Sequence, residues 1–88
     1  LGHYTQAVPH MERAIELMPV DPIVNDHLGD VYWSVGRRLE AEFQWHRALS
    51  FKPEESEAIR IRRKLEVGLD QLLDEEGAPP LELVLEDG

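Results

Sequence analysis

Residues 28–33 read LGDVYW, inside a stretch whose apolar spacing is that of a helix. Val24, Leu28, Val31, Tyr32 and Val35 recur at intervals of three and four, which places them on one helical face. A glycine inside such a helix costs roughly 1 kcal/mol relative to alanine. A solvent-facing position would merely tolerate Gly29. A helix crossing would require it, because a side chain there would hold a neighbouring helix away and forfeit the dispersion contacts of close approach.

The flanking residues set the limits of this helix. Asp21 is a good N-cap and Pro22 suits the first helical position, where its missing N–H costs nothing. Gly36 marks the end. A second helix is expected from about Leu39 to Phe51, with Ala41, Trp45, Ala48 and Leu49 facing inward and Pro53 beyond its end. Two helices joined by so short a turn pack antiparallel. Gly29 is then the crossing point, Ala41 and Ala48 are its small counterparts, and Leu28, Tyr32 and Trp45 fill the space to either side.

The pattern repeats. Ala7, Met11, Ala14, Leu17 and Pro19 recur thirty-four residues later as Ala41, Trp45, Ala48, Phe51 and Pro53, with Gly2 and Gly36 at the same offset. Asn25, Leu28, Gly29 and Tyr32, followed by Ala41, Trp45, Ala48 and Pro53, resemble one complete tetratricopeptide repeat (TPR). Two positions depart from that motif: Asn25 stands where the family usually has tryptophan, and Trp45 replaces the usual phenylalanine. Residues 1–19, through Leu1, Gly2, Tyr4, Ala7, Ala14 and Pro19, resemble the second half of a preceding repeat. Pro9 fits poorly there, and points to a helix that starts later or is distorted at its beginning.

One repeat further on the motif fails, because Arg62, Arg63 and Glu66 stand at the places of Leu28, Gly29 and Tyr32. Residues 54–76 instead read as one long amphipathic helix, with Ala58, Ile61, Leu65, Leu69 and Leu72 in a stripe and Ile59 and Leu73 beside it. Gly77, Pro79 and Pro80 stop it. Gly68 either allows a bend or is simply a poor helix former at the surface. The resemblance therefore implies an all-α chain of antiparallel helix-turn-helix repeats forming a short right-handed α-solenoid. Its parts are a half repeat (1–19), a complete repeat (20–53), a long C-terminal capping helix (54–77) and an acidic, flexible tail (78–88). The tail alternates Leu81, Leu83 and Leu85 with Glu82, Val84 and Glu86, a strand period with no sheet to join.

Composition narrows the chemistry. The formal net charge is −9, and from Asp74 onward there are six acidic residues and no basic one. Phosphate recognition needs basic surface, so nucleic acid is not the expected partner. No apolar run approaches the ~18 residues of a membrane span. There is no cysteine, which removes disulfides and thiolate metal sites. The histidines lack metal-ligand spacing, and Thr5, Ser34, Ser50 and Ser56 lack a nucleophile elbow. No catalytic set, cofactor or metal is expected. The chain opens with LGHYTQAV and no initiator methionine, so it is expected to be a piece of a longer protein.

By family resemblance, the first helix of each repeat lines a concave face that binds a peptide or protein segment. In the complete repeat this face would present Ile23, Asp26, His27, Asp30, Trp33 and Ser34, and the capping helix would add Glu57, Arg60, Ile61 and Lys64. Trp33 offers much contact area for little entropy, or else packs against the capping helix. Asp26 and Asp30, one turn apart, either receive a basic peptide residue or pair with Arg60 and Lys64. TPR domains that clamp a terminal carboxylate carry lysine, asparagine and arginine on this face, so the two aspartates speak against that specificity. The basic run Arg60, Arg62, Arg63, Lys64 reads as a solvated face, since its members point in several directions. The expected role is a non-catalytic protein-interaction module. The alternative is a structural end-cap, or a segment that self-associates through an apolar strip of the first helix at Ala7, Met11, Ala14 and Ile15.

Overall fold

The computed structural model describes the backbone of residues 2–77 and the side chains from Gln6 to Gly77. Leu1 and the tail at 78–88 lie outside the described residues. Among the described residues there are five helices and no strand: α1 (Gly2–Leu17), α2 (Pro22–Ser34), α3 (Arg38–Ser50), α4 (Glu55–Val67) and α5 (Leu69–Glu75).

The local signals around α2 act as expected. Asp21 accepts a hydrogen bond from the Val24 N–H at 3.0 Å, a cap worth about 1 kcal/mol. At the other end Gly36 takes a positive φ of 87°. Its N–H donates to Trp33 O, and the Arg37 N–H donates to Tyr32 O at 2.8 Å, which closes a Schellman cap. The chain turns there and α3 runs back along α2. Helix α3 ends without glycine, and Lys52 takes the left-handed conformation at φ 55°. α1 passes through Pro9 without interruption, where the sequence suggests a late or distorted start.

Gly29 sits where α2 and α3 cross. A Cβ built on it would lie 2.4 Å from Trp45 Nε1 and 3.0 Å from the Ala41 carbonyl oxygen. Ala41 is a direct counterpart, as its small side chain suggests. The nearest group of all is the indole of Trp45, and Ala48 is buried in the same core. The core that closes around this crossing consists of Leu28, Tyr32, Ala41, Trp45, Ala48, Ile61 and Leu69, with Val8, Met11, Ile15, Trp33, Leu49, Leu65 and Leu73 packed against it.

Asn25 is fully buried. Its amide nitrogen donates to the carbonyls of Pro19 and Asp21, and its oxygen accepts from Arg47 Nε. A buried amide is tolerated because both ends find partners. It ties the α1–α2 turn to α3. Two turns further along α2, Tyr32 Oη donates to Glu12 of α1 at 2.7 Å. Burial, then the Glu12 carboxylate, pushes the phenol up to about 12.

The long helix expected over residues 54–76 is two helices. Gly68 takes φ 87° and ψ 158°, a conformation open almost only to glycine. The chain reverses there. Arg63 pairs with Glu75 and Arg60 with Glu76, so α5 runs back along α4. A surface role for Gly68 is excluded by its neighbours: a Cβ on it would stand 2.7 Å from the Trp33 ring. The apolar stripe alone could not reveal this reversal, because Leu69 and Leu72 continue the helical period across the break.

Candidate functional site

The contacts between α2 and α4 define the most unusual chemistry of the molecule. Asp30 meets Lys64, and Trp33 meets Gly68. The partner numbers rise together, so the two helices run in the same direction and meet through these side chains. Asp30 and Lys64 are also thirty-four residues apart in sequence.

Lys64 is 1% exposed and Asp26 is 2% exposed. The Lys64 ammonium donates to Asp26 Oδ1 at 2.8 Å, to Asp30 Oδ1 at 2.8 Å and to Asp30 Oδ2 at 3.1 Å. Asp30 also accepts from the Trp45 indole N–H at 3.0 Å, the ring that fills the space beside Gly29. One cation thus faces two carboxylates. Burial holds the Asp30 carboxyl above its ordinary range, and the nearby Asp26 adds to that rise, while Lys64 and the Trp45 N–H pull against it. Each charge removed from water here must keep its partner, since a bare buried ion costs several kcal/mol. The cluster therefore acts on register: sliding α4 by one turn along α2 would strand an ammonium and two carboxylates.

Trp33 stands at the far end of the same face. Its ring stacks at a 33° tilt on Trp45 with centroids 5.4 Å apart, and the Arg38 guanidinium covers it at 4.5 Å. Its indole N–H donates to Asp70 on α5 at 3.1 Å. Gly68 closes over the ring edge. Trp33 thus packs against the C-terminal helices.

Of the ten residues expected on an open binding face, Ile61 is fully buried, and Ile23, Asp26, His27, Asp30, Trp33, Arg60 and Lys64 divide into three groups. Asp26, Asp30 and Lys64 come together, but Asp26 and Lys64 have almost no surface left for a ligand. Arg60 does not join them; its guanidinium is held by Glu76 at 2.7 and 2.9 Å. Ile23, at 39% exposed, and His27, also exposed, remain open to solvent, as do parts of Asp30 and Trp33. The rest of the basic run is spoken for at the surface, with Arg62 near Glu55 and Arg63 near both Glu66 and Glu75. Asp70, Glu75 and Glu76 are partners that the sequence did not single out. The only signal for them was that α5 carries its acids in the order needed to meet Arg63 and Arg60 once the chain has reversed.

Beside this face, α4 and α5 border a groove of about 380 Å³ lined by Ser56, Ile59, Arg60, Arg63, Glu66, Leu72, Glu75 and Glu76. Among the described residues no group of three metal-ligating side chains converges, and no helix is long and apolar enough to cross a membrane. No protein-family model, no curated protein and no solved structure matches this chain.

Proposed function

We propose that the chain is a non-catalytic protein-interaction module of the tetratricopeptide type, holding a peptide or protein segment against the open face of α2. In this reading α1 to α4 stack as a short right-handed α-solenoid, and the α4–α5 pair caps it. The observation that carries it is the packing order around α2. An antiparallel partner crosses flush at Gly29, and α4, which runs in the same direction as α2, meets Asp30 through a residue thirty-four further on. Stacked hairpins of this kind build extended faces suited to peptides. Ile23, His27 and the exposed edges of Asp30 and Trp33 form the contact surface, with Asp30 offering a carboxylate to a basic or hydrogen-bonding group.

Selection of peptides from a displayed random library against the full chain tests this. Selected peptides should shift the NMR signals of Ile23, His27 and Asp30, and the double variant Ile23→Glu/His27→Glu should lose them while melting like the wild type. Footprints confined to the outer face of α3 would overturn it.

The second reading, an end-cap that self-associates, draws on a different observation. At the α1–α2 corner Leu17 is 69%, Met18 49% and Val20 67% exposed, an apolar ridge larger than solvation favours. The residues first expected to mediate such contact, Ala7, Met11, Ala14 and Ile15, are only half exposed. Light scattering across a concentration series separates the two readings: a monomer throughout removes self-association, and dimers broken by Val20→Glu support it.

A further inference from the structure

The α5 segment is held in a way that ordinary core helices are not. It has seven residues, far below the length at which a helix is stable in water on its own. It is joined to α4 through Gly68, a single residue in a glycine-only conformation. Its hold consists of Leu69, which belongs to the core, the buried Leu72, Leu73 packed against that core, and a polar rim at the surface. That rim is Arg63 with Glu75, Arg60 with Glu76, and Trp33 with Asp70. All three rim contacts lie at the surface, where salt screens them, and Arg60 and Arg63 each grip their carboxylate with two nitrogens.

From this we infer that α5 is a resident pseudo-ligand, and that the slot it fills is a binding site for a short acidic amphipathic helix supplied by a partner protein. The occupant states the recognition chemistry. Residues 68–77 read GLDQLLDEEG, with Leu69 and Leu72 one turn apart for the apolar floor and Glu75 and Glu76 in the last turn. The slot answers with the shared core, to which Ile61, Leu65 and Trp33 also belong, and with two guanidiniums, Arg60 and Arg63, spaced to meet the carboxylates. A partner helix of the same pattern in trans makes the same contacts. It must first displace α5, whose tether gives it a high effective concentration. Wild-type affinity is accordingly low, and whatever loosens α5 raises it.

The inference adds to the interaction reading above an adjoining surface that shares Trp33 with it, while Ile23 and His27 lie outside the slot. Failure of one therefore leaves the other standing.

A fluorescein-labelled GLDQLLDEEG peptide titrated against the full chain, read by anisotropy, tests it. The double variant Glu75→Arg/Glu76→Arg repels α5 from Arg60 and Arg63 and should bind the peptide at least tenfold more tightly than wild type, with affinity falling in high salt. The variant Arg60→Glu/Arg63→Glu should lose the peptide and regain a version carrying lysines in place of its two final glutamates. Equal binding by wild type and the loosened variant, no rescue by the charge-swapped peptide, or dimerisation that the peptide cannot compete would each overturn the inference. Hydrogen exchange on the wild-type chain covers the case in which a variant does not fold. The α5 amides should open at least a hundredfold more readily than those of α2 and α3; exchange of α5 in step with α2 would also overturn it.

Discussion

Replacing Lys64 by methionine probes the buried cluster most directly. Methionine keeps the length and apolar stem of the side chain and removes only the ammonium, so packing beside Trp45 is nearly preserved. What remains is Asp26, sealed from solvent, and Asp30, whose side chain is 29% exposed, facing one another without their cation. Removing one partner of a buried ion pair costs about 3–5 kcal/mol. For a domain of this size each kcal/mol is worth roughly 4–8 °C, so the melting temperature at pH 7 should fall by at least ~12 °C. The total stability expected for such a chain is only about 0.05–0.15 kcal/mol per residue, so the loss is a large part of the whole.

The dependence on pH separates this account from simple loss of packing. Burial already holds Asp30 above its ordinary value in the wild type, so its ionisation works against folding. That penalty is absent below the unfolded value of 3.8 and sets in as pH rises through the folded value. Without Lys64 the opposing attraction is gone, Asp30 rises further, and the penalty at neutral pH grows. The gap between variant and wild type, measured by thermal and urea unfolding, should therefore be widest at pH 7 and narrow toward pH 4. Adding Asp26→Leu and Asp30→Asn to Lys64→Met should recover at least half of the loss at pH 7, because asparagine still offers an acceptor to the Trp45 N–H. A Lys64→Met chain that melts with the wild type at pH 7, or whose deficit does not change with pH, would refute the reasoning.

The remaining predictions concern single side chains. Gly29→Ala should destabilise the chain by about 2 kcal/mol in urea unfolding, the reverse of what helix propensity alone predicts, because the new methyl meets Trp45 and the Ala41 carbonyl. Gly68→Ala should cost about 1–3 kcal/mol from its backbone conformation alone, and should also change the near-ultraviolet circular dichroism of Trp33, which would have to move from the new methyl. Asn25→Ala leaves the Pro19 carbonyl and Arg47 without their buried partner, and should cost about 1–3 kcal/mol by thermal unfolding; Asn25→Asp should not restore it, since a carboxylate cannot donate to the Pro19 and Asp21 carbonyls.

The α2–α3 hairpin was legible because its signals are local. Asp21, Pro22 and Gly36 mark the ends of α2 through their own backbone chemistry, and the expected limits differ from Pro22–Ser34 and Arg38–Ser50 by a residue at most. Gly29 could be read as a crossing because a glycine amid large apolar residues has few other uses. That Trp45 is the nearest group to the space it leaves was not legible, since Ala48 would equally suit a 3.6-residue period. The site was read less fully. The pairing of Asp26 and Asp30 with Lys64 was one of two options on the sequence, and the depth of its burial was not visible in charge pattern alone. Arg60 had the same claim on the aspartates as Lys64 and went instead to Glu76, because the reversal at Gly68 brought α5 within its reach.

By itself, the sequence determined that this chain is helical, where α2 and α3 begin and end, and that they meet at a glycine, because capping, periodicity and steric bulk act within a turn or two of the residue that carries them. Only the tertiary structure decided which charges are sealed from water, which guanidinium takes which carboxylate, and that Trp33 lies beneath a folded-back α5. Those outcomes depend on surfaces distant in sequence coming within about 3 Å of one another, the range over which a hydrogen bond or a buried ion pair forms at all.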